Sequence, residues 1–217
     1  SGTHVEKILS ISHRWMVPTQ PDPDGEQLKA IKAFLGSSKG EQIELVWIDG
    51  SCMPQDQPKG SRTPQDTADF KIMLSQVCRA FRAAPLFSPL AHSSYHLPVC
   101  LRAQVNMLFL GTSVLILLDL SYVSRFWTQF EAWLSMQFAT PSGLKSAIGT
   151  TNARHHIVCI QNAAAQGELY TKALVDHWAD KTPLQAHDFL SKPDVTVTNA
   201  SDKEGQLPKI KALDGTV

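Results

Sequence analysis

No excess of charge of either sign marks this chain: twenty Lys and Arg balance twenty Asp and Glu, for a formal net charge of zero over 217 residues. That balance leaves no electrostatic footprint for a polyanion and argues against a general nucleic-acid role. Long hydrophobic runs are missing too. The longest, "MLFLGTSVLILLDL" at 107–120, is interrupted by Gly111, Thr112 and Ser113 and falls short of the roughly 20 residues that cross a bilayer, so no membrane partner is expected. The four cysteines, Cys52, Cys78, Cys100 and Cys159, lie far apart with no C-x-x-C spacing. This gives no zinc site and no redox pair, and reduced thiols of a cytoplasmic protein are the simplest reading. The amino terminus has no secretory-signal pattern, and Ser1-Gly2 reads as a cloning remnant.

What is present is an alternation of strand-like and helix-like segments. "KILSISH" (7–13), "IELVWID" (43–49), "TSVLILLDL" (112–120), "HHIVCIQ" (155–161) and "DVTVTN" (194–199) read as five short strands. Between them, Leu28, Ile31 and Leu35 fall at helical spacing after Asp24 as cap. Thr63-Pro64 with Asp66 opens a second helix through Phe70, Leu74 and Val77. A helix over "SYVSRFWTQFEAWLSMQFA" carries Phe126, Phe130, Trp133, Leu134 and Phe138 on its apolar side. Leu169, Leu174 and Trp178 mark another, and Ser201 with Glu204 caps a last one through Leu207 and Ile210. Parallel neighbours need crossovers, which are usually helical, so the expected class is α/β, a parallel sheet with helices on both faces. The chain reads as one domain, 1–217, with an insertion at 78–104, where three prolines, no acidic residue and no sustained period interrupt the pattern.

In such a sheet, ligands sit beyond the carboxyl ends of the strands, and three clusters fall there. Ser12, His13, Arg14 and Trp15 leave the first strand: an arginine fork can grip a phosphate and a tryptophan can stack on a planar base, while the alternative is core packing with a solvated Arg14. Asp49 ends the second strand before a glycine turn and can accept from ribose hydroxyls or, equally, cap its own turn; Cys52 after it reads as a packed thiol. In "SRFWTQFEAW" (124–133), Trp127 and Glu131 stand four apart on one helix face with Arg125 and Thr128 displaced from it. Glu131 is either a carboxylate held against an aromatic wall or a surface partner for a lysine or arginine.

At these residues the sequence resembles the fungal heterokaryon-incompatibility (HET) domain. "WIDGSCMPQ" (47–55) is similar to its W-I-D-x-x-C-I-x-Q motif, "SRFWTQFEAW" to its S-R-x-W-T-x-Q-E segment and "LSISHRW" to its A-L-S-Y-x-W motif, in the family's order. Trp127 and Glu131 also keep the spacing of the W-C-x-x-E element of the related TIR domains. Met53-Pro54, Gln129-Phe130 and residues 78–104 depart from the pattern. The resemblance implies a flavodoxin-like five-stranded parallel sheet. It also implies cleavage of the nicotinamide–ribose bond of NAD as substrate, with no added cofactor or metal and with Glu131 as the essential carboxylate. Ser12, His13, Arg14, Trp15, Asp49, Cys52, Arg125 and Trp127 would then surround the dinucleotide, in a self-associating signalling domain of immunity or cell death. A non-catalytic interaction module and a nucleoside or nucleotide glycosidase are the competing functions.

Overall fold

The computed structural model describes residues 7–56, 58–75 and 105–213. Four of the five expected strands form: β1 (Ile8–Ser12), β2 (Leu45–Trp47), β3 (Ser113–Leu118) and, after a hairpin described below, β6 (His155–Cys159). They make one parallel sheet in the order β2-β1-β3-β6, with Ser10 level with both Trp47 and Val114, and Ile116 level with Ile157. The class is therefore α/β, and the expected insertion at 78–104 lies outside the described residues.

Alternation along the strands divides the core in two. Leu9 and Ile11 of β1, with Leu115 and Leu117 of β3, face α1 (Glu26–Leu35) through Ile31 and Phe34. Val114, Ile116 and Leu118 face the other way, into a larger cluster that includes Phe109 of α4 (Val105–Gly111), Phe126, Phe130 and Trp133 of α5 (Phe126–Ser135), and Leu174 and Trp178 of α6 (Gly167–Trp178). Ser10 and Ser12 share that second face with Val114 and Ile116. Because they are buried, each needs a partner, and Ser10 finds Thr112 at 2.7 Å.

The fifth strand does not form. Residues 194–199 make a single bridge, between Thr196 and Arg125, with Thr196 N donating to Ser124 O and Phe126 N to Thr196 O, both at 2.8 Å. The segment's backbone is used to satisfy the free amides at the start of α5, where a helix has no internal partner, instead of extending the sheet. The helix expected through Phe138 also ends early, at Ser135. Gln137 is buried and its amide donates to Trp178 O and Ala179 O, the end of α6, which turns the chain into the hairpin β4 (Gln137–Thr140) and β5 (Gly143–Ser146). Gly143 closes its turn at φ 106°, a conformation that favours glycine.

Helix caps differ from expectation in two places. Gly25, at φ 71°, precedes α1, and Asp22 instead of Asp24 accepts from Gln27 N (3.1 Å) and Leu28 N (2.8 Å). Helix α8 (Ala200–Ala212) starts after Asn199, whose amide donates to Asp202, with no Ser201–Glu204 box. The Thr63–Asp66 pair does cap α3 (Pro64–Ser75). Helix α7 (Pro183–Leu190), missing from the sequence reading, opens on a Thr182–Gln185 capping box.

Phe130 lies fully buried where α5 meets the sheet, stacked on Trp133 at 6.1 Å. Phe130→Ala is expected to cost about 3 to 5 kcal/mol of folding stability, read from the urea midpoint.

Candidate functional site

The three neighbouring strands β2, β1 and β3 end side by side, and each end carries a carboxylate or its partner. From β1 come Ser12, His13, Arg14 and Trp15; beyond β2, the short α2 (Asp49–Cys52) begins with Asp49; just past β3 lies Asp119. Parallel pairing with no offset hairpins makes this convergence unavoidable once the strands are in register.

Asp49 is gripped from three sides. His13 Nε2 lies 2.9 Å from its Oδ1, Trp15 Nε1 donates to Oδ2 at 3.0 Å, and Gly50 N donates to Oδ1 at 2.6 Å. Burial alone would raise this carboxyl, but the His13 contact and charge, the Trp15 indole and the Gly50 amide together hold it below its ordinary value. The other His13 nitrogen meets Gln27 Oε1 at 2.7 Å, while the Gln27 amide donates to Arg14 O. Both imidazole nitrogens therefore lie within hydrogen-bond distance of side-chain oxygens, which fixes the ring between Gln27 and Asp49.

Arg14 turns elsewhere. Its Nη2 donates to Asp119 Oδ2 at 2.7 Å and its Nε at 3.1 Å, while Nη1 reaches the carbonyls of Trp15 and Met16. With Asp119 buried, this is a forked pair that ties the end of β1 to the end of β3, and the fork is already filled.

Glu131 completes the cluster from above. Of the ten residues of α5, only Trp127 and Glu131 escape burial, so the helix is apolar or satisfied on every side except one stripe four residues apart. Ser12 Oγ lies 2.7 Å from Glu131 Oε2 and 2.6 Å from the Tyr122 hydroxyl, which donates to Thr128 O at 2.9 Å. Glu131 is driven well above its ordinary value of 4.5, first by burial and then by the field of Asp49, against the opposing Ser12 bond. Tyr122 is raised as well, by burial and by Glu131. Two acids at the same strand ends are thus pushed in opposite directions, Asp49 toward the carboxylate and Glu131 toward the acid, which is how paired carboxyls acquire different roles.

The structure brings together Ser12, His13, Trp15, Asp49 and Glu131, and turns Arg14 away to Asp119. Trp127 packs edge-on to Phe126 and its indole bonds to Asp202 of α8. Cys52 is exposed at the end of α2, and Arg125 supplies the backbone N-cap of α5. Sequence reasoning missed Asp119, Tyr122 and Gln27. The first had a signal: "LLDL" repeats the pattern of "WIDG", an acid closing a buried strand. Tyr122 and Gln27 had none, since neither stands at a strand end. Beside Asp119, on the side of α6 and α7, opens a cavity of about 380 Å³ lined by Leu118, Tyr170, Leu174, His177 and Phe189; Glu131 does not line it.

Because Glu131 holds its proton more tightly when folded, its contribution makes the protein progressively less stable as pH rises from 4.5 toward its raised value, where the unfolded chain has already ionised. Glu131→Gln is expected to gain stability over the wild type between pH 4.5 and neutrality, a crossing read from urea midpoints at the two pH values. Removing half of the filled fork, by Asp119→Ala, is expected to cost about 3 to 5 kcal/mol in the same assay. Comparison with family models, with curated proteins and with solved structures finds no match for this chain.

Proposed function

We propose that the residue cluster at the strand ends cleaves the N-glycosidic bond between nicotinamide and ribose in NAD, with Glu131 as the catalytic carboxylate. The observation that carries this reading is the placement of one acid: α5, buried at every residue but Trp127 and Glu131, sets the Glu131 carboxyl 2.7 Å from Ser12 Oγ at the end of β1 and within the field of Asp49. Among the described residues, no lysine or arginine is paired with Glu131. Nicotinamide leaves as a neutral base from a cationic pyridinium, so the reaction needs no acid at the leaving group. It needs a negative charge beside the ribosyl oxocarbenium, or a grip on the ribose hydroxyls, in a site that limits water. Glu131 supplies the first once ionised, and Asp49, held as carboxylate by His13 and Trp15, supplies the second.

The remaining assignments follow the same geometry. Arg14 keeps Asp119 and β1 in place instead of binding phosphate. The aromatic and leucine-lined cavity beside Asp119 has the size and lining that suit a planar base, and volumes of this order are typical of small-molecule sites. The order β2-β1-β3-β6 is the four-strand part of the flavodoxin-like order, which agrees with the likeness to HET and TIR domains seen in the motifs. In that role the protein is a cytoplasmic, self-associating signalling domain.

A second reading has an observation of its own. Leu45 and Val46 on the edge strand β2, and Leu120 and Val123 beyond β3, are exposed apolar side chains, which suits a self-associating interaction module without catalysis.

Concentrated wild-type protein is expected to release nicotinamide from NAD, and Glu131→Gln to reduce the rate about 100-fold or more with folding intact, measured by chromatography of the products. Equal rates would remove Glu131 from the mechanism. Absence of release in both, with self-association unchanged by the substitution, would favour the interaction module, and release of base from nucleosides but not from NAD would favour the nucleoside glycosidase.

A further inference from the structure

Four groups form an unbroken line behind Glu131: Glu131 Oε2, Ser12 Oγ, the Tyr122 hydroxyl and the Thr128 carbonyl, joined by contacts of 2.7, 2.6 and 2.9 Å. Three contacts require three protons. The Thr128 carbonyl is an acceptor only, so its contact takes the Tyr122 proton. The 2.6 Å contact between Tyr122 and Ser12 then takes the Ser12 proton, and the contact between Ser12 and Glu131 has none left unless the carboxyl brings its own. With Glu131 ionised, Ser12 donates to it, and either the Ser12–Tyr122 contact is empty or Tyr122 abandons Thr128. Both Ser12 and Tyr122 are fully buried, so a contact left without its proton leaves a buried polar atom unsatisfied.

We infer that the Thr128–Tyr122–Ser12 line holds Glu131 as a neutral carboxylic acid in the resting protein, making Tyr122 a positioning residue that sets the protonation of the catalytic group. The surroundings agree. The charged and titratable neighbours are Asp49 from α2, which adds like charge, and Tyr122 itself. His13 stands behind Asp49 and is occupied by it and by Gln27; on α5, Trp127 is bonded to Asp202 of α8. None of these contacts brings a cation against Glu131.

The consequence for chemistry rests on the NAD reading. A pyridinium cation bound beside Glu131 favours the ionised form, so its binding is coupled to loss of the Glu131 proton to solvent: acid plus cation gives an ion pair and one free proton. Ser12 then reverses to donate to the new carboxylate, and Tyr122 keeps a donor for one of its two partners. A neutral ring gains no such ion pair. The site therefore discriminates between oxidised, cationic nicotinamide and neutral forms before any bond breaks.

Infrared difference spectra of protein labelled with isotopic glutamate test this without depending on turnover. At neutral pH the wild type is expected to show a protonated-carboxyl band that Glu131→Gln lacks; absence of the band overturns the proposal and leaves the NAD reading as one with an ionised carboxylate. Tyr122→Phe removes an acceptor that serves the neutral form, and is expected to lower the acid-to-carboxylate ratio about five-fold, the size of one net hydrogen bond. Ser12→Ala removes the donor that serves the ionised form and is expected to raise that ratio. A loosened site that merely admits water would lower it in both variants, and that result overturns the role given to Tyr122. Saturating 1-methylnicotinamide is expected to abolish the wild-type band while nicotinamide leaves it unchanged; a band that survives the cation overturns the coupling. No nicotinamide release from NAD alongside the expected spectra would defeat the hydrolysis reading and leave the proton line standing.

Discussion

A carboxylate buried at the end of a parallel sheet must be paired, hydrogen-bonded or neutralised, because desolvation penalises its charge. Three acids gather at this sheet's carboxyl edge, and each meets the requirement differently. Asp119 is paired with the forked guanidinium of Arg14. Asp49 is bonded by His13, Trp15 and Gly50. Glu131 has Ser12, itself tied to Tyr122, as its one hydrogen-bond partner among the described residues, and burial of its carboxyl raises its affinity for its proton. The first two solutions keep the acid charged, and the third favours its neutral form.

The rest of the architecture serves that edge. Alternation along β1 sends Leu9 and Ile11 to α1 and leaves Ser10 and Ser12 facing the larger core, so that a hydroxyl stands under α5 where an aliphatic side chain would otherwise pack. Helix α5 can be buried on nearly every side because its amides and polar side chains are satisfied locally: Thr196 O receives Phe126 N, Thr128 Oγ1 donates to Tyr122 O, and Gln129 donates to Val123 O and accepts from the Trp178 indole. Segments that might have extended the sheet or the helix are consumed in this bracing. Residues 194–199 secure the start of α5 and Gln137 secures the end of α6. The loss of an expected fifth strand and the precise seating of Glu131 are thus two sides of one exchange of backbone partners.

Much of this was legible in order and little of it in detail. The α/β alternation, four strands and the convergence of three loops follow from apolar runs bounded by turn residues, because burial on both faces demands such runs wherever the sheet lies. Trp127 and Glu131 could be placed on one helix face by spacing alone, and Asp49 at a strand end by its position after "LVWI". Arg14 could not be assigned, since a cation beside an aromatic suits a phosphate or a carboxylate equally, and the choice was made by Asp119, 105 positions away.

By itself, the sequence determined which residues are apolar, at what period they recur and which chemical groups stand where strands must end; these are local properties, and local physics reads them. Only the tertiary structure decided that 194–199 braces a helix and that Asp22 caps α1. It alone decided that Tyr122 and Ser12, 110 positions apart, share a proton line with Glu131. The reason is that hydrogen bonding, desolvation and charge all depend on distance in space, and the protonation of a carboxyl is set by how deeply the fold buries it and by the charges and hydrogen-bond partners it brings near.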